Sequence, residues 1–110
     1  MKEVAIIGVG IHKFGRFENK SYLDLGQEAA QMAMQDAHLE WKDIQMAYLS
    51  KMYLPATSGA RILKPLGATG IPICDIEAAC ASGGIALSQA VLGIQSGAFD
   101  VAMVLGVEKM

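Results

Sequence analysis

The chain has little of what several common architectures require. It holds two cysteines in 110 residues, Cys74 and Cys80, with five residues between them. That spacing matches no usual zinc or redox pairing, and His12 and His38 lie too far along the chain to complete a ligand set by spacing. No metal or bound cofactor is therefore expected. Two cysteines make no disulfide framework, which with seven methionines fits a reducing, cytoplasmic compartment. Basic runs are missing too. Nine Lys and Arg against eleven Asp and Glu give a net charge of −2, which selects for neither nucleic acid nor an anionic membrane. Met1-Lys2-Glu3 passes straight into a strand-like run, so no signal peptide is expected. The most apolar stretch, from Gly83 to Val107, is interrupted by Gln89, Gln95 and Asp100 and punctuated by Gly97, so it reads as buried helix then strand and not as a membrane span. There is no internal repeat.

What the chain has in excess is apolar surface. Hydrophobic residues make up 53% of it and the mean hydropathy is +0.34. A chain of this length is one domain at most, and a domain so small cannot hide that much apolar surface alone. Part of it is expected to lie against another domain or subunit, and the isolated chain is expected to self-associate.

Val4-Ala5-Ile6-Ile7, ended by Gly8 and Gly10, predicts a central strand covered on both faces. Residues 9–20 form a polar loop with His12, Lys13 and Arg16. Ser21 is placed to cap a helix with Asp24 three residues on, and Tyr22, Leu25, Ala29, Met32 and Ala33 keep helical spacing as far as Ala37. Trp41–Ile44 predicts a turn or short helix, 45–51 a second strand, 60–66 one helical turn, and 71–77 a third strand. Gly83–Ser96 predicts a helix buried all round, stopped by Gly97, and Val101–Val107 a fourth strand. The order β-α-β-loop-β-α-β makes the expected fold an α/β layered sheet with right-handed crossovers. A buried strand running out three residues before Met110 is read as a truncation point within a partial domain spanning 1–110.

The chemistry-bearing segment is Asp75-Ile76-Glu77-Ala78-Ala79-Cys80-Ala81-Ser82-Gly83-Gly84. It sets a strand, a small-residue turn and then a cysteine at the entrance of a helix. Unpaired N–H groups and the positive dipole end at a helix N-terminus favour a thiolate, and the same groups can hold an oxyanion. Ala81, Ser82, Gly83 and Gly84 leave room for an acyl chain to approach the sulfur. Cys80 is thus the candidate nucleophile, with Ser82, Gly83 and Gly84 as the candidate substrate-binding residues. A free cysteine is more often a buried, inert packing residue, and that is the expectation for Cys74 in the third strand.

Cys80-Ala81-Ser82-Gly83-Gly84, the Ala-rich helix, and Asp100-Val-Ala-Met-Val-Leu-Gly-Val-Glu-Lys-Met110 together resemble the N-terminal half of thiolases. The opening Val4-Ala-Ile-Ile-Gly-Val-Gly-Ile-His-Lys-Phe-Gly-Arg-Phe17 is most similar to the branch of sterol-carrier-protein thiolases and archaeal acetyl-CoA acetyltransferases. The resemblance implies that Cys80 is acylated by acyl-CoA or acetyl-CoA, a coenzyme A thioester acting as substrate. Claisen condensation or thiolysis then removes the acyl group. It also implies a homo-oligomer or a subunit of a thiolase complex. The family's activating histidine and second cysteine belong to a C-terminal half missing here, so this chain alone is expected to be inactive. The alternative is a non-catalytic scaffold or an acyl- or lipid-binding subunit of a larger complex.

Weaker signals read more plainly. Gly8-Val9-Gly10 fails the dinucleotide-binding fingerprint because Lys13 holds the third glycine position and no helix opens there. His12, Lys13 and Arg16 could meet a coenzyme A phosphate or a partner subunit, but a solvated loop is the simpler expectation. Glu108 and Lys109 read as a strand-end pair without a catalytic role.

Overall fold

The computed structural model describes residues 2–110. Its elements in chain order are α1 (Tyr22–Ala37), β1 (Met46–Ser50), α2 (Ser58–Leu63), β2 (Ile73–Ile76), α3 (Ser82–Gln95) and β3 (Ala102–Gly106). Short 3-10 turns occupy Trp41–Asp43, Lys64–Leu66 and Ala79–Ala81. The strands form one parallel sheet in the order β2-β1-β3, with Leu49 opposite Asp75 on one side and Leu105 on the other. The expected α/β layering is present.

Local chemistry explains most boundaries. Ser21 and Asp24 form a reciprocal capping box, the Asp24 carboxylate accepting from Ser21 N at 2.9 Å. His38, in the left-handed region at φ +56°, ends α1. Gly97 at φ +82° follows the end of α3, as expected of a helix-stopping glycine.

The sheet is covered on both faces. Ala47 and Leu49 are fully buried and point toward α2, since a Cβ placed on Gly59 would lie 3.1 Å from Leu49 Cβ. Ile62 and Leu63 of α2, with Ala30 and Met34 of α1, complete that core. Ser50 faces the other way, toward Gly83 of α3. Helix α3 buries only the stripe Ser82, Ala86 and Ala90, while Ile85, Leu87 and Leu92 stay exposed. This corrects the expectation of a helix buried all round: the chain supplies one layer to pack on it and no second.

A larger correction concerns the N-terminus. Val4–Ile7 forms no strand, and Ile6, Ile7, Val9 and Ile11 are exposed. The segment lies along α1 instead. A Cβ on Gly8 would meet Ala33 O at 2.5 Å, and one on Gly10 would meet Ala33 N at 2.6 Å. Val9 N donates to Asp36 Oδ2 at 2.8 Å. The two glycines therefore serve close approach of backbone to helix, which removes what was left of the nucleotide-binding reading.

Candidate active site

A parallel sheet sends all its strands' C-termini to one edge, the usual place for a site in α/β folds. Here the segments after β1, β2 and β3 are tied together at that edge. Lys51 N donates to Ile76 O at 3.1 Å, and Val107 N donates to Ser50 O at 3.2 Å.

Cys80 stands on this edge in the Ala79–Ala81 turn and is exposed. The residue before it, Ala79, is held at φ +51°. For a residue with a Cβ this conformation costs about 1–2 kcal/mol and persists only where its surroundings enforce it. The enforcing bonds are visible. Ala79 N donates to Glu77 Oε2 at 2.6 Å, Ala78 N donates to Ser82 Oγ at 2.7 Å, and Ala81 N donates to Ala78 O at 3.0 Å. The Ser82 hydroxyl shares its single proton between Ala79 O at 2.7 Å and Lys51 O at 3.3 Å. Ser82 is 5% exposed and braces the turn that carries Cys80, while still contributing to the lining of the cavity beside it.

The sulfur's open side leads into a cavity of about 1180 Å³. Lys51, Met52, Gly83 and Glu108 line it together with Cys80, as does the N-terminal segment. A Cβ on Gly83 would meet only Ser50 Oγ, at 3.8 Å, and one on Gly84 would meet nothing within 4 Å. Both glycines thus leave free space at the start of α3, but only Gly83 faces the cavity.

Cys74 overturns its expectation, because its thiol is exposed. It lies on the outer strand β2, on the face opposite Ile73 and Asp75, which pack toward Gly59 of α2. Alternation turned it to a side that α3, seated mainly over β1 and β3, leaves bare.

His12 also lines the cavity but is engaged with other partners: its Nε2 is 2.9 Å from Glu28 Oε2 and 3.0 Å from Lys20 Nζ, and its ring meets Phe17 edge-on at 4.9 Å. Lys13 and Arg16 are exposed. Among the described residues no group of three or more His, Cys, Asp or Glu side chains could hold a metal ion.

Glu108, expected to be half of a strand-end pair with Lys109, makes no such pair. Its Oε2 accepts from Met52 N at 2.7 Å and from Tyr53 N at 3.1 Å, while its Oε1 is buried and finds no partner among the described residues. The available signal was an acid placed directly after an apolar strand, at the functional edge of the sheet. Lys109, its sequence neighbour, turns away and donates to Phe17 O at 2.8 Å and to Lys20 O, pinning the 9–20 loop.

Known structures share this architecture. The 3-oxoacyl-[acyl-carrier-protein] synthase III of Aquifex aeolicus superposes with a TM-score of 0.76 over 90% of this chain and 33% of its own, at 24% identity. The priming β-ketosynthase of the R1128 polyketide pathway gives a TM-score of 0.75 over 86% of this chain and 29% of its own, at 28% identity. The fold is that of the thiolase-like condensing enzymes. More closely, the thiolase N-terminal domain model matches residues 4–110, and the chain belongs to the thiolase family. The acetyl-CoA acetyltransferase of Methanocaldococcus jannaschii is 44% identical over all of this chain. Bovine sterol carrier protein 2 is 41% identical over 97% of it. The chain spans 29% of the first relative's length and 20% of the second's.

Proposed function

We propose that this chain carries the acyl-accepting cysteine of an acyl-CoA acyltransferase, and that Cys80 is that residue. The observation that carries the reading is the exposed Cys80 thiol, raised by a left-handed Ala79 over a cavity at the C-terminal edge of a parallel sheet. In the proposed step the Cys80 thiolate attacks the carbonyl carbon of an acyl-CoA thioester. A new sulfur–carbon bond forms, the bond to the coenzyme A sulfur breaks, and coenzyme A leaves with the electron pair and takes up a proton. Gly83 leaves space for the acyl group and the pantetheine arm, and the start of α3 offers N–H groups to the developing oxyanion. A second acyl-CoA, or free coenzyme A, then accepts the acyl group by condensation or thiolysis. That second half needs a base and acid drawn from outside these residues. Losing one general acid or base costs a factor of about 10²–10⁴, so the 110 residues alone do not turn over. The complete enzyme works in the cytoplasm as a homo-oligomer or within a thiolase complex, consistent with its exposed apolar surface.

The sterol carrier protein 2 relatives favour a second reading, an acyl- or lipid-binding subunit without chemistry. Coenzyme A release from acetyl-CoA by the full-length protein, with and without Cys80→Ser, separates the two. Multiple turnovers that vanish in C80S support the transferase. Tight acyl-CoA binding with no coenzyme A release in either protein supports the binding subunit.

A further inference from the structure

We propose that Glu108 is a positioning residue for the acylation of Cys80, an inference that rests on the acyl-cysteine reading above. Glu108 does not touch the sulfur. It grips the backbone that follows β1, taking Met52 N and Tyr53 N on one oxygen at 2.7 and 3.1 Å. The same stretch is held from the other side, where the Ser82 hydroxyl reaches Lys51 O at 3.3 Å while bonding to Ala78 N and Ala79 O of the cysteine turn. Residues 51–53 are therefore a bridge, with Glu108 at one end and the turn bearing Cys80 at the other. Lys51, Met52, Cys80 and Glu108 all line one cavity, so a shift of the bridge is felt at its wall.

Two features argue that the carboxylate is kept for the site and not for the fold alone. Met52 and Tyr53 are exposed residues whose N–H groups water could satisfy. Meanwhile the second oxygen, Oε1, is buried and unpartnered among the described residues, a desolvation that apolar packing would avoid. A carboxylate placed there at that disadvantage fixes a loop which solvent would otherwise leave free to move. Fixing it holds Lys51 O under Ser82, keeps Ala79 in its left-handed state, and so keeps Cys80 aimed at the cavity.

The test measures single-turnover acylation of Cys80 by acetyl-CoA in full-length wild type, Glu108→Gln and Glu108→Ala, with hydrogen exchange at Met52 and Tyr53. The Gln amide oxygen can accept both N–H bonds as Oε2 does. The expected result is an acylation rate constant in E108Q within about threefold of wild type. In E108A it falls about tenfold or more, with KM within about twofold and faster exchange at both amides. A wild-type rate in folded E108A overturns the inference alone, as does a raised KM at unchanged rate, which would make Glu108 a substrate contact. Absence of any acylation at wild-type Cys80 overturns the parent reading and this one with it. If E108A does not fold, Ser82→Ala cuts the same bridge from its other end. It must then show the same rate loss at unchanged KM, and a wild-type rate in S82A overturns the inference.

Discussion

Lys20 and Glu28 form an ion pair in which the ammonium lies 2.9 Å from Oε2 and 3.1 Å from Oε1 of the carboxylate. The side-chain hydrogen bond from Lys20 holds the Glu28 carboxyl below its ordinary value of 4.5, with the charges of Lys20 and His12 adding to the effect. A depressed carboxylate stabilises the folded form above its unfolded pKa, and that contribution disappears as pH falls through the lower folded value. The contribution of Glu28 to order in the 9–20 loop should therefore be present above pH 4.5 and be lost as pH falls below it. Glu28→Gln should remove that dependence. Hydrogen exchange of the loop amides across pH 3 to 6 reads this out, and a wild-type profile in E28Q would show that another group controls the loop.

The contact of the N-terminal glycines with α1 predicts a sharp difference among glycine-to-alanine variants. Gly8→Ala and Gly10→Ala each drive a methyl into the helix backbone and should cost about 1–3 kcal/mol. Gly84→Ala, with nothing within 4 Å of the added carbon and a helical position, should stabilise by up to about 1 kcal/mol. Urea midpoints of the three variants decide the matter. Equal stability across them would mean that residues 4–10 do not rest on α1.

How far the sequence reached follows from how local each determinant is. The Ser21–Asp24 capping box, the Gly97 stop and the strands β1 and β3 were legible because each rests on near neighbours or on a continuous apolar run. The turn carrying Cys80 was legible for the same reason. Val4–Ile7 was misread because its apolar run is also what an extended segment lying on a helix looks like, and its resting place depends on Ala33 and Asp36 far along the chain. Cys74 was misread because its exposure depends on where α3 sits over the sheet, although Pro72 beside it already suited an edge strand or a strand start. Glu108 was taken for half of a strand-end pair because its actual partners, Met52 and Tyr53, arrive only when β1 and β3 pair.

The open face of Gly83 gives a test of the approach path. Gly83→Val puts a branched side chain on the cavity wall near the sulfur, and acylation should slow by at least about tenfold. Gly97→Ala strains a residue at φ +82° and costs about 1 kcal/mol of stability, but should leave acylation intact. Equal acylation rates in the two full-length variants would count against an approach along Gly83.

The most direct measurement maps the acyl group itself. Both thiols are exposed, so access alone does not distinguish Cys80 from Cys74, and any selectivity must come from the setting of Cys80. Full-length protein treated briefly with acetyl-CoA, quenched in acid and digested should carry one acetyl thioester per chain, on the peptide containing Cys80. Cys74→Ser should leave that adduct unchanged and Cys80→Ser should abolish it. An acetyl group on Cys74, or none on Cys80 in a folded protein that binds acetyl-CoA, would contradict the account.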